Sequence, residues 1–129
     1  MSKLLDTRVV ASVVSAQGSL TAALAEYLPL VSPRDQGLLQ ELCYGTLRWY
    51  PRLSVLVDSL LNKPLAAKDT DLMALLACTL YQLTSTRVPA HAAVNSAVAA
   101  CAALGKPWAK NLVNAVLRRF GRERATLEQ

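Results

Sequence analysis

The sequence predicts an all-α fold, a compact bundle of about six to seven helices, and three observations carry that expectation. The apolar fraction is 53%, and Ala and Leu supply most of it. Only one Phe is present, and no run of Val, Ile, Thr and aromatic residues would build a strand. Apolar residues recur with the helical period along nearly the whole chain. At 129 residues the chain fits one domain, long enough for a proper core and too short for a core plus a second independent unit.

Taken in order, Val9, Val10, Val13 and Val14 predict a first helix that ends before Gln17-Gly18, and Leu20 to Leu28 a second that runs up to Pro29. Ser32-Pro33-Arg34-Asp35 has the order of a helix start: Ser at the N-cap, Pro at the first helical position, and an acid near the positive end of the dipole. That helix is expected to bury Leu38, Leu39, Leu42, Cys43 and Thr46. Gly45 lies inside it, a choice that costs about 1 kcal/mol against Ala unless another helix packs closely there. Tyr50-Pro51 breaks the chain and restarts it, and Leu53, Leu56, Val57, Leu60 and Leu61 follow the i, i+3, i+4 template until Asn62-Lys63-Pro64.

Asp69 or Asp71 can cap the next helix, whose apolar stripe is Leu72, Leu75, Leu76, Thr79, Leu80 and Leu83, weakening at Thr84-Ser85-Thr86. Pro89 opens a helix of small residues, Ala92, Ala93, Ala97, Ala99, Ala100, Ala102 and Ala103. Small side chains let helices approach closely, which suggests a central element, although good helix propensity alone explains the same letters. The last helix is expected to start near Lys106-Pro107, to bury Ala109, Leu112, Val113, Val116, Leu117 and Phe120, and to stop at Gly121. The expected division is a helical domain over 1–120, with 121–129 as a tail or the start of a linker.

Charge is distributed unevenly. From Leu72 to Arg122 there is no Asp or Glu, while Arg87, Lys106, Lys110, Arg118, Arg119 and Arg122 fall inside that window of a chain with net charge +5. Lys106, Lys110, Asn114 and Arg118 recur every four residues, which places them along one side of the last helix as a cationic ridge. A polyanion such as RNA or DNA fits that surface, and cations on ordinary solvated helix faces are the plainer alternative.

Other chemistries are poorly supplied. Cys43, Cys78 and Cys101 are far apart in apolar contexts, with no CxxC and a lone His91, so buried reduced thiols are expected rather than a metal site or a disulfide framework. The first residues lack the apolar core of a signal peptide, and no apolar run suits a membrane span, which reads as a soluble cytoplasmic protein. No two of the five glycines make a GxG, so neither a dinucleotide or adenosylmethionine loop of that kind nor a Walker cradle is expected. Asp35 with Glu41, and Asp69 with Asp71, could be proposed as catalytic pairs, yet capping or solvated roles account for them. His91 falls in a first helical turn, where the dipole disfavours its charged form, and a neutral imidazole packing the helix start is expected. No catalytic residue is assigned.

Specific segments then become recognisable. Arg34-Asp35-Gln36-Gly37-Leu38-Leu39-Gln40-Glu41-Leu42-Cys43-Tyr44-Gly45-Thr46-Leu47-Arg48 resembles the signature RD-x-x-LLQEL-x-YG-x-LR of the N-terminal, NusB-like domain of bacterial small-subunit ribosomal RNA cytosine-5 methyltransferases. Leu80-Tyr81-Gln82-Leu83, Thr86-Arg87-Val88-Pro89 with His91-Ala92, Val94-Asn95 with Ala97-Val98, and Lys110 with Val113 to Phe120 resemble the same family in the right order. The resemblance runs from about Arg34 to Phe120, with a weaker match before it.

It implies a NusB-like bundle joined, in a full enzyme, to a Rossmann-like domain that binds S-adenosylmethionine and transfers the methyl group through cysteines in Pro-Cys and Thr-Cys contexts. No cysteine here has either context, so the resemblance carries over no catalytic role and no cofactor to this chain. The partners it implies are ribosomal RNA and the enzyme's own catalytic domain. Two departures stand out: only Lys3 and Arg8 precede the helix of Asp35, where free NusB has a dense basic segment, and Ser96 stands where the family often has an acid.

Two functions follow as expectations. The first is an RNA-binding helper of a methyltransferase, contacting phosphates through Lys106, Lys110, Asn114 and Arg118, then Arg119, Arg122 and Arg87, with Arg8, Arg34, Arg48 and Arg52 as further candidates. The second is a protein-docking module, interdomain or of the antitermination type, anchored by Trp49, Tyr50, Trp108 or Leu47. Arg48 serves either, or pairs with Glu41 or Asp58.

Overall fold

A computed structural model describes residues 7, 8, 10, 11, 13 and 20–127. From residue 20 onward the described residues form, in order, α1 (Leu20–Tyr27), α2 (Pro33–Arg48), α3 (Tyr50–Leu60), α4 (Thr70–Ser85), α5 (Ala90–Ala103) and α6 (Lys110–Leu127). No strand occurs among the described residues, so the all-α expectation holds. The described residues nearest the N-terminus, 7, 8, 10, 11 and 13, are helical; the end expected before Gln17-Gly18 lies outside the described residues. Single 3₁₀ turns at Leu28–Leu30, Ala67–Asp69 and Pro107–Ala109 lead out of α1, into α4 and into α6.

Several helix boundaries sit where local chemistry puts them. Ser32 is the extended N-cap of α2 with Pro33 at its first position, the Ser32 carbonyl accepts from the Asp35 amide at 2.9 Å, and the Ser32 hydroxyl reaches the Asp35 carboxylate at 3.3 Å. Gln36 Nε2 donates back to the carbonyl of Leu28 at 3.2 Å, fastening the preceding turn onto α2. The end of α5 is a Schellman motif: Gly105 takes φ +77°, its amide donates to Ala102, and the Lys106 amide donates to Cys101. Only glycine adopts that left-handed backbone at little cost.

The centre of the bundle is α4, not α5. Every residue from Ala74 to Leu80 is buried, and α2, α3, α5 and α6 all pack on this helix. Its apolar surface is therefore continuous around the helix rather than a stripe, and each fully buried Leu (72, 75, 76 and 80) contributes about 1.5–3 kcal/mol of transfer free energy. In α5 only Ala93, Ala97, Ala100 and Cys101 are buried, so its small side chains serve one close contact face. Gly45 is explained by α4: a Cβ there would lie 2.1 Å from the Tyr81 ring, so the glycine lets that ring lie directly on the α2 backbone.

Three expectations need correction. Leu38 is 41% exposed, because α2 turns Leu39, Leu42, Cys43 and Thr46 inward instead, with Leu39 and Cys43 packed against Ala23 and Leu24 of α1. His91 is exposed at the start of α5 rather than packed against it, because the inward face of that helix start is the one carrying Ala93. Gly121 does not stop α6, which runs on to Leu127. Buried Leu117 and Phe120 hold the helix on the core up to that point, and beyond it Arg119 pairs with Glu123 and Arg124 donates to the Leu83 carbonyl. These contacts offset the ~1 kcal/mol that glycine costs a helix interior. Cys43, Cys78 and Cys101 are all buried, as expected.

Candidate nucleic-acid interface

The candidate site is built on α6, which buries Val113, Val116, Leu117 and Phe120 and turns its other side outward. The outward side contains Lys110 and Arg118, both exposed, with half-buried Asn114 between them. Because α6 continues, Arg122 extends the row and is exposed as well. Positions four apart advance about 40° around a helix of 3.6 residues per turn. The ridge from Lys110 to Arg122 thus winds obliquely across the outer face instead of running straight down one side.

Lys106 is not part of it. The 3₁₀ turn Pro107–Ala109 separates Lys106 from α6, and its ammonium sits between two carboxylates, 2.9 Å from Asp69 Oδ1 and hydrogen-bonded to Asp71 Oδ1. Asp69 is buried, and the Lys106 side chain is only 19% exposed. Burial pulls the ammonium pKa down, but the hydrogen bonds and charges of Asp71 and Asp69 outweigh it and leave the pKa above its usual 10.5. This lysine clips the start of α6 to the start of α4, and with it the two acids that were candidates for capping α4 acquire a tertiary partner.

Arg119 is likewise committed in part. Its Nε pairs with Glu123 at 2.9 Å, and its Nη1 donates to the Leu60 carbonyl at 3.2 Å, tying α6 to the C-terminal end of α3. Arg87, in the connection between α4 and α5, is exposed. Among the described residues, Lys110, Arg118 and Arg87 form no salt bridge, so their charge faces solvent.

Beside the ridge lies a groove of about 610 Å³ between α6 and the 61–66 connection. Leu60, Pro64, Leu65, Leu112 and Val116 form its apolar floor, while Trp108, Lys63, Arg119 and Arg122 stand around it. Trp108 is 59% exposed. Sequence reasoning named Trp108 only as a docking anchor and did not see this groove; the pairing of Trp108 with Leu112, Ala115, Arg119 and Arg122 at spacings of three and four was the available signal.

A second cluster lies on the opposite part of the chain, at the α2–α3 junction. Arg48 and Arg52 both lie over the ring of Trp49, at 5.5 Å and 5.3 Å from its centroid, within cation–π range. Arg48 therefore stacks rather than pairing with Glu41 or Asp58. Trp49 is 42% exposed, whereas Tyr50 and Leu47 are partly buried against Val10, Ala74 and Cys78 and are not available as anchors. The exposed side chain of Arg34 lies at the first turn of α2 and that of Arg8 near the N-terminus, each apart from the α6 ridge in sequence.

No group of three or more His, Cys, Asp and Glu able to hold a metal ion occurs among the described residues, and no helix among them is long and apolar enough to cross a membrane.

Residues 7–122 match the NusB family. The chain belongs to the NusB family. It is also 50% identical over 121 residues, 94% of its length, to a protein of Pseudomonas putida named ribosomal RNA small subunit methyltransferase B. A protein of that name from Vibrio vulnificus is 44% identical over the same share of the chain, and a probable one from Coxiella burnetii is 44% identical over 92% of it. The NusB-family domain described here spans about 28% of the length of the Pseudomonas and Vibrio relatives.

Proposed function

We propose that this NusB-family domain is the RNA-binding accessory part of an S-adenosylmethionine-dependent methyltransferase acting on cytosine C5 of 16S ribosomal RNA, and that it positions the RNA for a catalytic domain elsewhere in the polypeptide. The observation that carries the reading is the α6 face on which Lys110, Arg118 and Arg122 stand exposed, within the acid-free window from Leu72 to Arg122. Phosphates are the natural partners of such a row, since point charges on a rigid helix give affinity and register without reading bases. The names of the relatives supply the RNA and the reaction class.

The domain takes no step in methyl transfer. In this reading S-adenosylmethionine belongs to the catalytic domain, which is supported by the lack, among the described residues, of a glycine-rich turn between a strand and a helix. The ribosomal RNA and the catalytic domain are its two partners in this reading, and the cytoplasm is where it meets both.

Binding to a small-subunit ribosomal RNA fragment over a salt series tests the proposal. With about four phosphates neutralised, log K falls against log salt with a slope of about three on single-stranded RNA. A flat dependence, or equal binding by the Lys110→Ala/Arg118→Ala variant, overturns it. The alternative, a docking module, is favoured by the exposed Trp49 with Arg48 and Arg52 over its ring; loss of association with the catalytic domain in Trp49→Ala, with RNA binding unchanged, supports it.

A further inference from the structure

We infer that the groove between α6 and the 61–66 connection is a binding site for unpaired RNA, with Trp108 as the platform on which a nucleobase stacks. The inference deepens the proposed function and rests on it: the ridge holds phosphates, and the groove holds the bases of a short single-stranded stretch.

Three features carry it together. Trp108 presents more than half of its surface to solvent beside the groove, which leaves a large aromatic surface open to a flat partner. The groups of positive charge around the groove are Lys63, Arg122 and Arg119, the last already paired with Glu123, and its single acid, Asp69, is neutralised from within by Lys106. The ridge leads into it, because Arg122 is both the last member of the row and a wall of the groove. A strand whose phosphates follow Lys110 and Arg118 reaches Arg122 and can return its bases along the apolar floor at Leu112 toward Trp108. From Lys110 to Arg122 the helix extends about 18 Å, which suits a few nucleotides rather than an isolated one. Aromatic stacking beside a cationic track is how sequence-tolerant single-strand sites are built.

The site selects unpaired RNA over duplex. In a duplex the base faces are already stacked on their neighbours, and only the phosphates remain for the ridge.

The test uses the intact chain carrying Trp49→Phe, so that Trp108 is the sole tryptophan, titrated with a single-stranded hexaribonucleotide and with a duplex of equal length while indole emission and affinity are recorded. The expected result is quenching of Trp108 by the single strand and little by the duplex. Trp108→Ala should weaken single-strand binding about tenfold, with Trp108→Phe restoring most of it. Salt-dependent single-strand binding with unchanged Trp108 emission and full affinity in Trp108→Ala overturns the groove while leaving the ridge intact. Failure of all RNA to bind, in every variant, overturns the proposed function and this inference together. Quenching by an acidic amphipathic peptide but not by RNA overturns it in favour of a protein partner. Because Trp108 is exposed, its replacement does not threaten the fold, and thermal unfolding of each variant verifies that.

Discussion

Lys106 and Lys110 stand four residues apart in the sequence, and the regions they belong to differ in almost every physical respect. Lys106 lies at a junction, largely withdrawn from water and held by Asp69 and Asp71 from the start of α4. Lys110 begins α6, in which the first acid along the chain is Glu123. The first lysine joins two parts of the fold, and the second leaves its charge for something outside it. The contrast shows why spacing alone is a weak guide to a binding surface: a row of cations is a ligand site only where the fold has not already supplied the anions.

Substitutions at the junction should have the largest effects. Lys106→Met leaves the buried Asp69 carboxylate without its counter-charge and should destabilise the domain by about 2 kcal/mol, less than the ~3–5 kcal/mol of a fully buried pair because the lysine retains some solvent. Chemical denaturation measures it. Lys110→Met should change stability by less than about 0.5 kcal/mol; equal losses at both positions would erase the distinction between the regions.

The same junction predicts a pH dependence. The Lys106 pKa is raised in the folded state above 10.5, so its stabilising contribution is present in full below that value and disappears as pH rises through the folded pKa. Alkaline unfolding of the wild type should include this step, and Lys106→Met should lack it.

On the open face the expected effects are on binding. Lys110→Ala with Arg118→Ala should lower the salt slope of RNA binding by about 1.4, or 0.7 per lost phosphate contact, at unchanged midpoint of unfolding. A smaller stability loss than that of Lys106→Met belongs to the α2–α3 junction, where Trp49→Ala removes the ring shared by Arg48 and Arg52 and should cost about 0.5–1 kcal/mol, measurable by the same denaturation experiment.

How legible these regions were in the sequence follows from how local their causes are. Ser32-Pro33 and Asn62-Lys63-Pro64 were readable as boundaries because a cap and a missing amide act within one helical turn. The buried Leu positions of α3 and α4 were readable because burial follows the helical period. Gly45 announced a close neighbour but not which one; that it is Tyr81 depends on the α2–α4 crossing. The Schellman end at Leu104-Gly105 was available in the letters and missed. Gly121 misled, since a glycine stops a helix only when nothing beyond it packs, and Arg119, Glu123 and Arg124 make contacts there. Among the candidate site residues, Lys110, Asn114 and Arg118 keep their place on the ridge, whereas Lys106 and, in part, Arg119 are taken up by the fold.

The sequence by itself determined the helical class, most of the helix boundaries, the apolar faces and the uneven charge, because propensity, capping and periodicity act over three or four residues. Only the tertiary structure decided that α4 is the centre, that Lys106 faces two acids about 35 residues away, and that Trp108, Arg119 and Arg122 border one groove. Those outcomes depend on which helices meet and at what angle, and no local rule contains that information.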